Sequence, residues 1–301
     1  MPLDTMNSIT FNLVKRSQNK DYTFSLIIPS WNNLPYLQLC IKSIRQNSHF
    51  SHQIIVVINE GTDGTIEWIQ NEPDIDYVFS AKNLGICYGL NACRSLIKTG
   101  YIVYINDDMY LLPEWDNAFL DEIKSLSHSE FMLSSTMIEP HDTKNSCAIV
   151  GDYGDSLEVF KEKELLLTYM NFQKADWSGS TWPPLLIPVN LWDLVGGMSA
   201  EFSPGMYSDP DLSMKLWRAG VRYFKGISAS RVYHFGSKST KRVKKNKGKN
   251  TFLQKYGMTS RSFVQNYLRR GEDFIGPLPE PNITMTEKII NKMKLLVHIL
   301  S

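Results

Sequence analysis

The sequence predicts an α/β protein built as a single domain on a mostly parallel, Rossmann-like central sheet, with helices on both faces and a C-terminal helical extension. The first observation is that short apolar strands alternate with amphipathic helical patterns from residue 23 to residue 108, which is typical of parallel sheets. The second is size and composition: 301 residues, 43% of them hydrophobic, are enough to bury a full core.

The strands of the first part are short runs of β-branched and aromatic residues, and the helices between them repeat apolar residues with helical spacing. The predicted strands are residues 23–30, 53–59, 76–80 and 101–106, and the predicted helices are residues 34–46, 65–71 and 86–98. Polar or glycine-containing loops follow the carboxyl ends of all four strands. Because these ends meet at one edge of a parallel sheet, the loops predict a ligand crevice there.

The second part of the chain continues the alternation less regularly. The predicted helices are residues 114–126, 156–169, 212–219 and 286–300, and the predicted strands are residues 131–138, 221–227 and 231–235. Three prolines set the last helix off from the rest of the chain. We therefore expect an N-terminal extension (1–21), one large domain (22–257, with halves 22–110 and 111–257) and a C-terminal helical extension (258–301).

The composition argues against several classes of protein. Lys plus Arg total 32 and Asp plus Glu total 31, and this net charge of +1 argues against a nucleic-acid partner. The four cysteines form no CxxC pair and fit packed, reduced thiols. Residues 1–21 lack the apolar core of a signal peptide, and no apolar run approaches the ~20 residues that span a bilayer. We expect a cytoplasmic protein, soluble or peripheral at the inner face of a membrane.

The most informative motif is Asn106-Asp107-Asp108, which follows an apolar run directly. A turn is the simpler interpretation, because Asn and Asp are common in turns. Two carboxylates at a sheet edge also suit a hard divalent cation, and Mg²⁺ or Mn²⁺ is often shared between a few protein ligands and a substrate phosphate. The absence of GxGxxG and GxxxxGK[ST] motifs disfavours a dinucleotide-dependent oxidoreductase and a P-loop NTPase.

A second acidic cluster, Ser208-Asp209-Pro210-Asp211, opens the helical pattern at residue 212. Helix capping is sufficient to explain it, since Ser or Asp caps a helix and acids favour its positive end. A carboxylate in this position is expected to stay ionised, as a general base must be.

His234 ends the last predicted strand, and a single histidine is more often a packed residue than a ligand. The lysine-rich run 238–249 follows it and is typical of a solvated loop, with neutralisation of a diphosphate or contact with anionic lipid as alternatives.

Two further segments have both a structural and a functional interpretation. Trp177 and Trp182 enclose a turn-rich segment, and indole faces stack well on sugar rings, although core packing is the commoner role of tryptophan. The helix predicted at 286–300 carries an apolar stripe with lysines around it. Packing of this stripe on its own domain is the simplest outcome, and a homodimer contact or peripheral contact with anionic lipid are the alternatives.

Taken in order, these motifs resemble those of the inverting family-2 glycosyltransferases of the GT-A fold, over residues 24–257. The matching pieces are the opening strand and loop (25–32), the loop 61–65, Asn83-Leu84-Gly85, Asn106-Asp107-Asp108 as the DxD-type motif, residues 192–197, residues 209–212 and His234. The resemblance implies a GT-A-type domain that uses Mn²⁺ or Mg²⁺. It implies transfer of a sugar from a nucleotide-diphosphate donor to a hydroxyl of a glycan or glycolipid acceptor, in surface polysaccharide assembly.

The resemblance also implies a role for each matching residue. Asp108 and His234 would bind the metal, and Asp209 would be the general base with Asp211 as its rival. Residues implied in donor binding are Pro29, Ser30, Asn32, Glu60, Asp63, Asn83, Asn106 and Asp107, and those implied in acceptor binding are Trp177 and Trp182. The chain departs from the family pattern at Asn106, which replaces an Asp, at Ser208, which replaces a Glu, and in a loop 59–65 that is one residue short.

Two other classes of protein are compatible with these residues. A sugar nucleotidyltransferase also needs an α/β sheet and metal-binding carboxylates, but the N-terminal part lacks a phosphate loop rich in glycine and basic residues. A non-catalytic carbohydrate-binding relative would keep the aromatic residues and could lose the acids. Because Asp107, Asp108, Asp209 and His234 are all present, the sequence favours an enzyme.

Overall fold

A mixed sheet organises the protein in the computed structural model, which describes residues 10–18, 20–236 and 246–300. Its strands are β1 (Asn12–Val14), β2 (Ser25–Trp31), β3 (Gln53–Asn59), β4 (Ile75–Ser80), β5 (Tyr101–Tyr104), β6 (Met109–Leu111), β7 (Phe131–Glu139), β8 (Ile149–Val150), β9 (Trp177–Ser178), β10 (Leu185–Pro188) and β11 (Tyr223–His234). The strand order is β1-β4-β3-β2-β5-β10-β7-β11-β6, with β8 beside β7 and β9 beside β11.

The first part of the sheet is parallel and the second part is mixed. Strands β4, β3, β2 and β5 pair in parallel, as the sequence predicts. Beyond them β10 runs antiparallel to both β5 and β7, while β7 and β11 are parallel and β6 pairs antiparallel with β11. Residues 12–14, from the predicted N-terminal extension, form β1 and add an antiparallel edge to β4.

Helices cover both faces of the sheet. They are α1 (Leu34–Asn47), α2 (Thr65–Gln70), α3 (Ile86–Ala92), α4 (Trp115–Ser125), α5 (Glu162–Thr168), α6 (Val189–Val195), α7 (Ser208–Arg218), α8 (Gly248–Tyr256), α9 (Ser260–Ser262) and α10 (Met285–Leu300). Alternate residues of a strand point to opposite faces. Ile27 of β2 therefore joins the core formed with α3, α6 and α7, whereas Leu26 and Ile28 join the core formed with α1 and α4. The α/β fold class is confirmed.

Several elements differ from their prediction. The helix predicted at 86–98 ends as α3 at Ala92 and is followed by a 3₁₀ turn, Cys93–Leu96. The two strands predicted at 221–227 and 231–235 are one strand, β11, because a bulge between Ile227 and Arg231 absorbs the irregular residues without ending the pairing. The helix predicted at 156–169 is a short α5 between two 3₁₀ turns. Helix α7 begins at Ser208 and its N-cap is Tyr207 with φ 73°, so neither Ser208 nor Asp209 caps it through its side chain.

The C-terminal helix α10 turns its apolar stripe outward, which makes the expected core packing wrong. The stripe residues Ile289, Ile290, Met293, Leu296 and Val297 are 44–67% exposed. The face toward the domain is polar instead: Asn291 is buried, and its Oδ1 accepts a hydrogen bond from the Thr259 amide at 3.3 Å.

Two expectations from composition agree with the structure. All four cysteines are buried and unpaired, as expected of packed thiols. Within the described part of the chain, every helix is too short or too polar to cross a bilayer.

Candidate active site

A cavity of about 530 Å³ lies at the carboxyl-terminal edge of the parallel strands, where the sequence predicts a ligand crevice. Four predicted ionisable residues line it: Asp107, Asp108, Asp209 and His234. The other predicted site residues in its wall are Pro29, Asn106 and Trp182. The fold thus brings together residues that are as much as 205 positions apart in the chain, from 29 to 234.

Strand pairing places Asp108 beside His234. The chain turns after β5 through Asp107 and Asp108, then returns as β6, in which Met109 pairs with His234 of β11. The Phe235 amide donates to the Asp108 carbonyl at 3.1 Å, which continues this pairing by one more hydrogen bond. As a result, Asp108 Oδ1 and His234 Nε2 are 3.6 Å apart.

The orientation of the His234 ring is set by Glu139, the last residue of β7. His234 Nδ1 donates to Glu139 Oε1 at 3.0 Å, which directs Nε2 toward Asp108. Burial lowers the pKa of His234, but the hydrogen bond to Glu139 and the charge of Asp108 outweigh burial and leave the pKa above its usual value. Burial raises the pKa of Glu139, but the His234 and Thr143 hydrogen bonds bring it below the usual value, so Glu139 is ionised.

Asp108 and His234 fit a shared divalent cation. A carboxylate oxygen and an imidazole nitrogen are suitable ligands for Mn²⁺, and a neighbouring carboxylate that fixes the imidazole is common at such sites. Among residues 10–18, 20–236 and 246–300, no group of three or more His, Cys, Asp or Glu side chains could hold a metal ion. A cation held by Asp108 and His234 would need further ligands, such as water or the oxygens of a substrate phosphate.

Asp209 enters the cavity from the first turn of α7. Its Oδ1 is buried and finds no hydrogen-bond partner in the described part of the chain. Burial raises the pKa of Asp209 to about 7. The expectation of an ionised carboxylate from its helix position is therefore wrong below that pH, because desolvation outweighs the favourable helix dipole.

Asp211 lies on the same helix but outside the cavity lining. It is fully buried and accepts hydrogen bonds from Ser199 Oγ at 2.5 Å, Lys255 Nζ at 2.8 Å and Tyr256 Oη at 2.6 Å. Its carboxylate joins α7 to α8 and to the turn before α7. These contacts indicate that Asp211 stabilises the packing of α7 against its neighbours.

Three residues implied in donor binding, Asn32, Glu60 and Asn83, form a separate cluster outside this cavity. Glu60, with φ 65°, accepts from Trp31 Nε1 at 2.8 Å, from Asn32 Nδ2 at 3.3 Å and from the Asn83 amide at 3.4 Å. The cluster stands at the ends of β2, β3 and β4. Ser30 is buried, and within the described residues its Oγ has no hydrogen-bond partner.

Asp63 accepts hydrogen bonds at the starts of two helices, α1 and α2. Its Oδ2 accepts from the Leu34 amide at 2.7 Å, and its Oδ1 accepts from Thr65 Oγ1 at 2.6 Å. Burial raises the pKa of Asp63, but these hydrogen bonds outweigh burial and hold the pKa below its usual value. These hydrogen bonds connect the starts of α1 and α2, and donor binding by Asp63 stays a prediction.

The two tryptophans have different environments, and only one can meet a sugar. Trp177 is 2% exposed, its Nε1 donates to Thr136 Oγ1 at 2.9 Å, and its ring packs on Gly226. The predicted acceptor contact of Trp177 is therefore wrong. Trp182 lines the cavity, and the Arg270 guanidinium lies over its ring at 4.1 Å from the centroid.

Two residues of the site, Glu139 and Arg270, were not predicted from the sequence. Glu139 is an acid at the carboxyl end of an apolar strand pattern, and the Asn106-Asp107-Asp108 motif was identified by the same kind of signal. Arg270 belongs to an Arg-Arg-Gly turn with no periodic pattern around it. Nothing local indicated that this turn contributes to the cavity.

Comparison with known proteins identifies the family resemblance. Residues 25–149 match the sequence model described as "Glycosyl transferase family 2". A chondroitin synthase of Pasteurella multocida (strain Pm70) is 24% identical over 251 residues, which are 81% of this chain and 24% of the relative. A hyaluronan synthase of Pasteurella multocida is 24% identical over 227 residues, which are 73% of this chain and 21% of the relative. The chain thus spans about a quarter of the length of these relatives.

Solved structures with the same fold contain nucleotide ligands. S. aureus TarS 1-349 in complex with UDP-GlcNAc has a TM-score of 0.55 at 13% identity, covering 92% of this chain and 72% of that chain. GalNAc-T7 with UDP, GalNAc and Mn²⁺ has a TM-score of 0.56 at 12% identity, covering 82% of this chain and 50% of that chain. At these identities the likeness concerns the fold alone.

Proposed function

We propose that this chain is a metal-dependent, inverting glycosyltransferase of family 2 with the GT-A fold, which the match of residues 25–149 and the likeness in fold support. It transfers a sugar from a nucleotide-diphosphate donor to a hydroxyl of a glycan or glycolipid acceptor. The observation that carries the proposal is the convergence of Asp107, Asp108, His234 and Asp209 on one cavity. This set combines ligands for a cation with a separate carboxylate that can accept a proton.

Asp108 and His234 are the proposed ligands of Mn²⁺ or Mg²⁺, with Glu139 fixing the imidazole. The bound cation would stabilise the negative charge that develops on the departing diphosphate. Asp107 lines the same wall and is positioned for the ribose or sugar of the donor. Pro29 and Asn106 complete this wall, whereas the Glu60 cluster with Asn32 and Asn83 is the proposed nucleobase side.

Asp209 is the proposed general base. The acceptor hydroxyl gives its proton to Asp209 as its oxygen bonds to the anomeric carbon, and the bond from that carbon to the diphosphate breaks on the opposite face. A carboxylate whose pKa is about 7 is a stronger base than an ordinary aspartate and is still half ionised at neutral pH. The saturated hydrogen bonds of Asp211 support Asp209 as the base rather than its neighbour.

The comparisons support a first choice of donor and acceptor. The neighbouring structures contain UDP-GlcNAc, or UDP with GalNAc and Mn²⁺, so UDP-sugars are the donors to test first. The relatives are chondroitin and hyaluronan synthases, which supports a glycan acceptor and a place in polysaccharide assembly. Trp182 in the cavity wall offers an indole face to that acceptor.

A donor panel tests this function directly. The protein is incubated with Mn²⁺ and each UDP-sugar, with and without glycan acceptors, and release of nucleoside diphosphate is measured. We expect acceptor-stimulated UDP release with one or two donors, abolished by Asp209→Asn. Release of pyrophosphate from a nucleoside triphosphate and a sugar phosphate would instead show a nucleotidyltransferase. Sugar binding without turnover of any donor would show a carbohydrate-binding relative.

We propose the surface of an anionic membrane, on its cytoplasmic side, as the place of action. The outward stripe of α10 is accompanied by three exposed lysines, Lys288, Lys292 and Lys294, against one acid, Glu287. Lys249, the last lysine of the basic run 238–249, lines the groove of about 570 Å³ beside this stripe. Residues 238–245 of that run lie outside the described residues. An apolar stripe edged by cations matches the interface of an anionic bilayer, and a homodimer would bring the lysines together.

A further inference from the structure

Arg270 stands between the active-site cavity and a second cavity of about 470 Å³. The two cavities share four lining residues, Trp182, Met206, Asp209 and Arg270. The second cavity continues along α7 and the segment 260–265, and its lining includes none of the proposed donor and metal residues. Because the proposed base lies on the boundary, the second cavity is on the side from which an acceptor hydroxyl would approach Asp209.

The segment that carries Arg270 is firmly attached to the sheet. The Arg270 amide donates to the Val264 carbonyl at 3.1 Å, and the Gly271 amide donates to the Ser178 carbonyl at 3.0 Å. The backbone approaches so closely that a Cβ on Gly179 would come within 2.7 Å of the Arg270 Cα. The guanidinium then lies over the Trp182 ring at 4.1 Å, which adds a cation–π contact. The positive charge is therefore presented in a defined place.

The Arg270 guanidinium forms no ion pair with a carboxylate of the described residues. Within residues 10–18, 20–236 and 246–300, no carboxylate lies within 4.0 Å of the Arg270 side chain, whereas Lys144, another cation of the active-site cavity, is paired with Asp142 at 2.5 Å. Burial lowers the pKa of Arg270, which reflects the cost of desolvating its charge. Arg261, in the lining of the second cavity, adds a further positive charge. A bound anion would offset this cost.

We propose that Arg270, backed by Trp182, binds an acidic group of the acceptor: the carboxylate of a uronic acid or the phosphate of a phosphodiester. Both groups present anionic oxygens to the forked N–H donors of a guanidinium. The inference rests on the proposed function and adds the chemical class of the acceptor.

Direct binding of oligosaccharides tests the proposal without requiring turnover. Calorimetric titrations at constant ionic strength compare a glucuronic acid-containing oligosaccharide, the same compound after reduction of its carboxyl groups, and an oligosaccharide of equal length carrying a phosphodiester. We expect at least one acidic compound to bind about tenfold more tightly than the neutral one. Arg270→Gln should remove that preference and leave the affinity for the neutral compound unchanged, and Arg270→Lys should keep part of it. The tighter acidic compound identifies the source of the anion.

Two controls separate this proposal from the proposed function and from general effects of charge. Arg94→Gln removes a surface charge paired with Asp193 and should leave the preference intact. UDP binding in the presence of Mn²⁺ is measured separately, so failure of the proposed function appears there while the oligosaccharide titration remains informative. Equal affinity of the wild-type protein for acidic and neutral compounds, retention of the preference by folded Arg270→Gln, or a loss confined to UDP binding would each overturn the proposal.

Discussion

Asp209 and Asp211 lie two residues apart on α7, yet their carboxylates have opposite environments. Asp209 lines the cavity with a buried oxygen that lacks a hydrogen-bond partner among the described residues. Asp211 faces the interior and accepts hydrogen bonds from Ser199, Lys255 and Tyr256. The difference follows from helical geometry, because positions i and i+2 are about 200° apart around the axis.

The first prediction separates the roles of these two acids. Asp209→Asn should lower turnover by about 10² or more with little change in UDP affinity, because a general base acts mainly in the transition state. Asp211→Asn should instead destabilise the fold by about 3 kcal/mol, since it breaks a buried charged network. Turnover, UDP titration and thermal unfolding of both variants provide the check. If Asp211→Asn were stable and inactive while Asp209→Asn stayed active, the assignment would be reversed.

The second prediction concerns the pH dependence of catalysis. Because Asp209 must be ionised to accept a proton and its pKa is about 7, turnover should fall with the ionised fraction as the pH drops below about 7. An ordinary exposed aspartate would keep the rate level down to about pH 4. A pH–rate profile measured at saturating donor and metal distinguishes the two, and a level rate between pH 5 and pH 7 would argue against Asp209 as the base.

The third prediction follows from the same pKa but concerns stability. Asp209 has a pKa of about 7 in the folded protein and an ordinary value of 3.8, so between these values the folded state binds more protons than the unfolded state. The contribution of Asp209 to stability is therefore full below about pH 4 and is lost as the pH rises toward 7. Asp209→Asn should raise the free energy of unfolding at pH 8 by on the order of 2 kcal/mol. Melting temperatures of both proteins at pH 5 and pH 8 measure this, and a variant no more stable than wild type at pH 8 would contradict it.

The fourth prediction tests the proposed metal ligands and their support. Asp108→Asn should abolish most Mn²⁺ binding, and Glu139→Gln should weaken it by about 10–100-fold because the His234 ring loses its ionised partner. Glu130→Gln is a matched control, since Glu130 contacts a histidine, His128, at the surface. Mn²⁺ titration followed by paramagnetic relaxation gives the affinities directly. Equal affinity of the wild type and Asp108→Asn for Mn²⁺ would show that Asp108 is not a metal ligand.

The fifth prediction concerns the outward stripe of α10. Replacing Lys288, Lys292 and Lys294 with glutamate should weaken binding to phosphatidylglycerol vesicles by about 100-fold, at ~1 kcal/mol per lysine, with little effect on turnover of a water-soluble acceptor. Binding to phosphatidylcholine vesicles should be weak for both proteins.

A control variant with Lys124, Lys161 and Lys163 changed to glutamate carries the same charge change on other exposed surfaces. It should bind phosphatidylglycerol vesicles as the wild type does. Removing residues 283–301 should also abolish vesicle binding. A halved particle mass after this truncation, with vesicle binding unchanged, would assign the stripe to a homodimer contact instead.

Much of the fold was predictable because its signals are local. The period of the apolar residues identifies β2 to β5 and α1 to α4, although it extends α3 by six residues, and the polar loops after the strands indicate the ligand edge. Asp107 and Asp108 could be predicted as site residues for the same reason, because they are adjacent acids just after an apolar strand pattern. The start of α7 was placed four residues late because its first turn contains no apolar repeat.

The sequence by itself determined the alternation of elements, the edge at which the site lies and the residue types available for its chemistry, because each depends on neighbours within a few positions. Only the tertiary structure decided which of these residues meet. Pairing of β11 with both β6 and β7 brings His234 to Asp108 and Glu139, and packing buries Trp177 while leaving Trp182 in the cavity. The pKa of Asp209 also depends on the tertiary structure, because the atoms that desolvate its carboxylate come from distant parts of the chain. The helix dipole, in contrast, is a local property that the sequence can indicate.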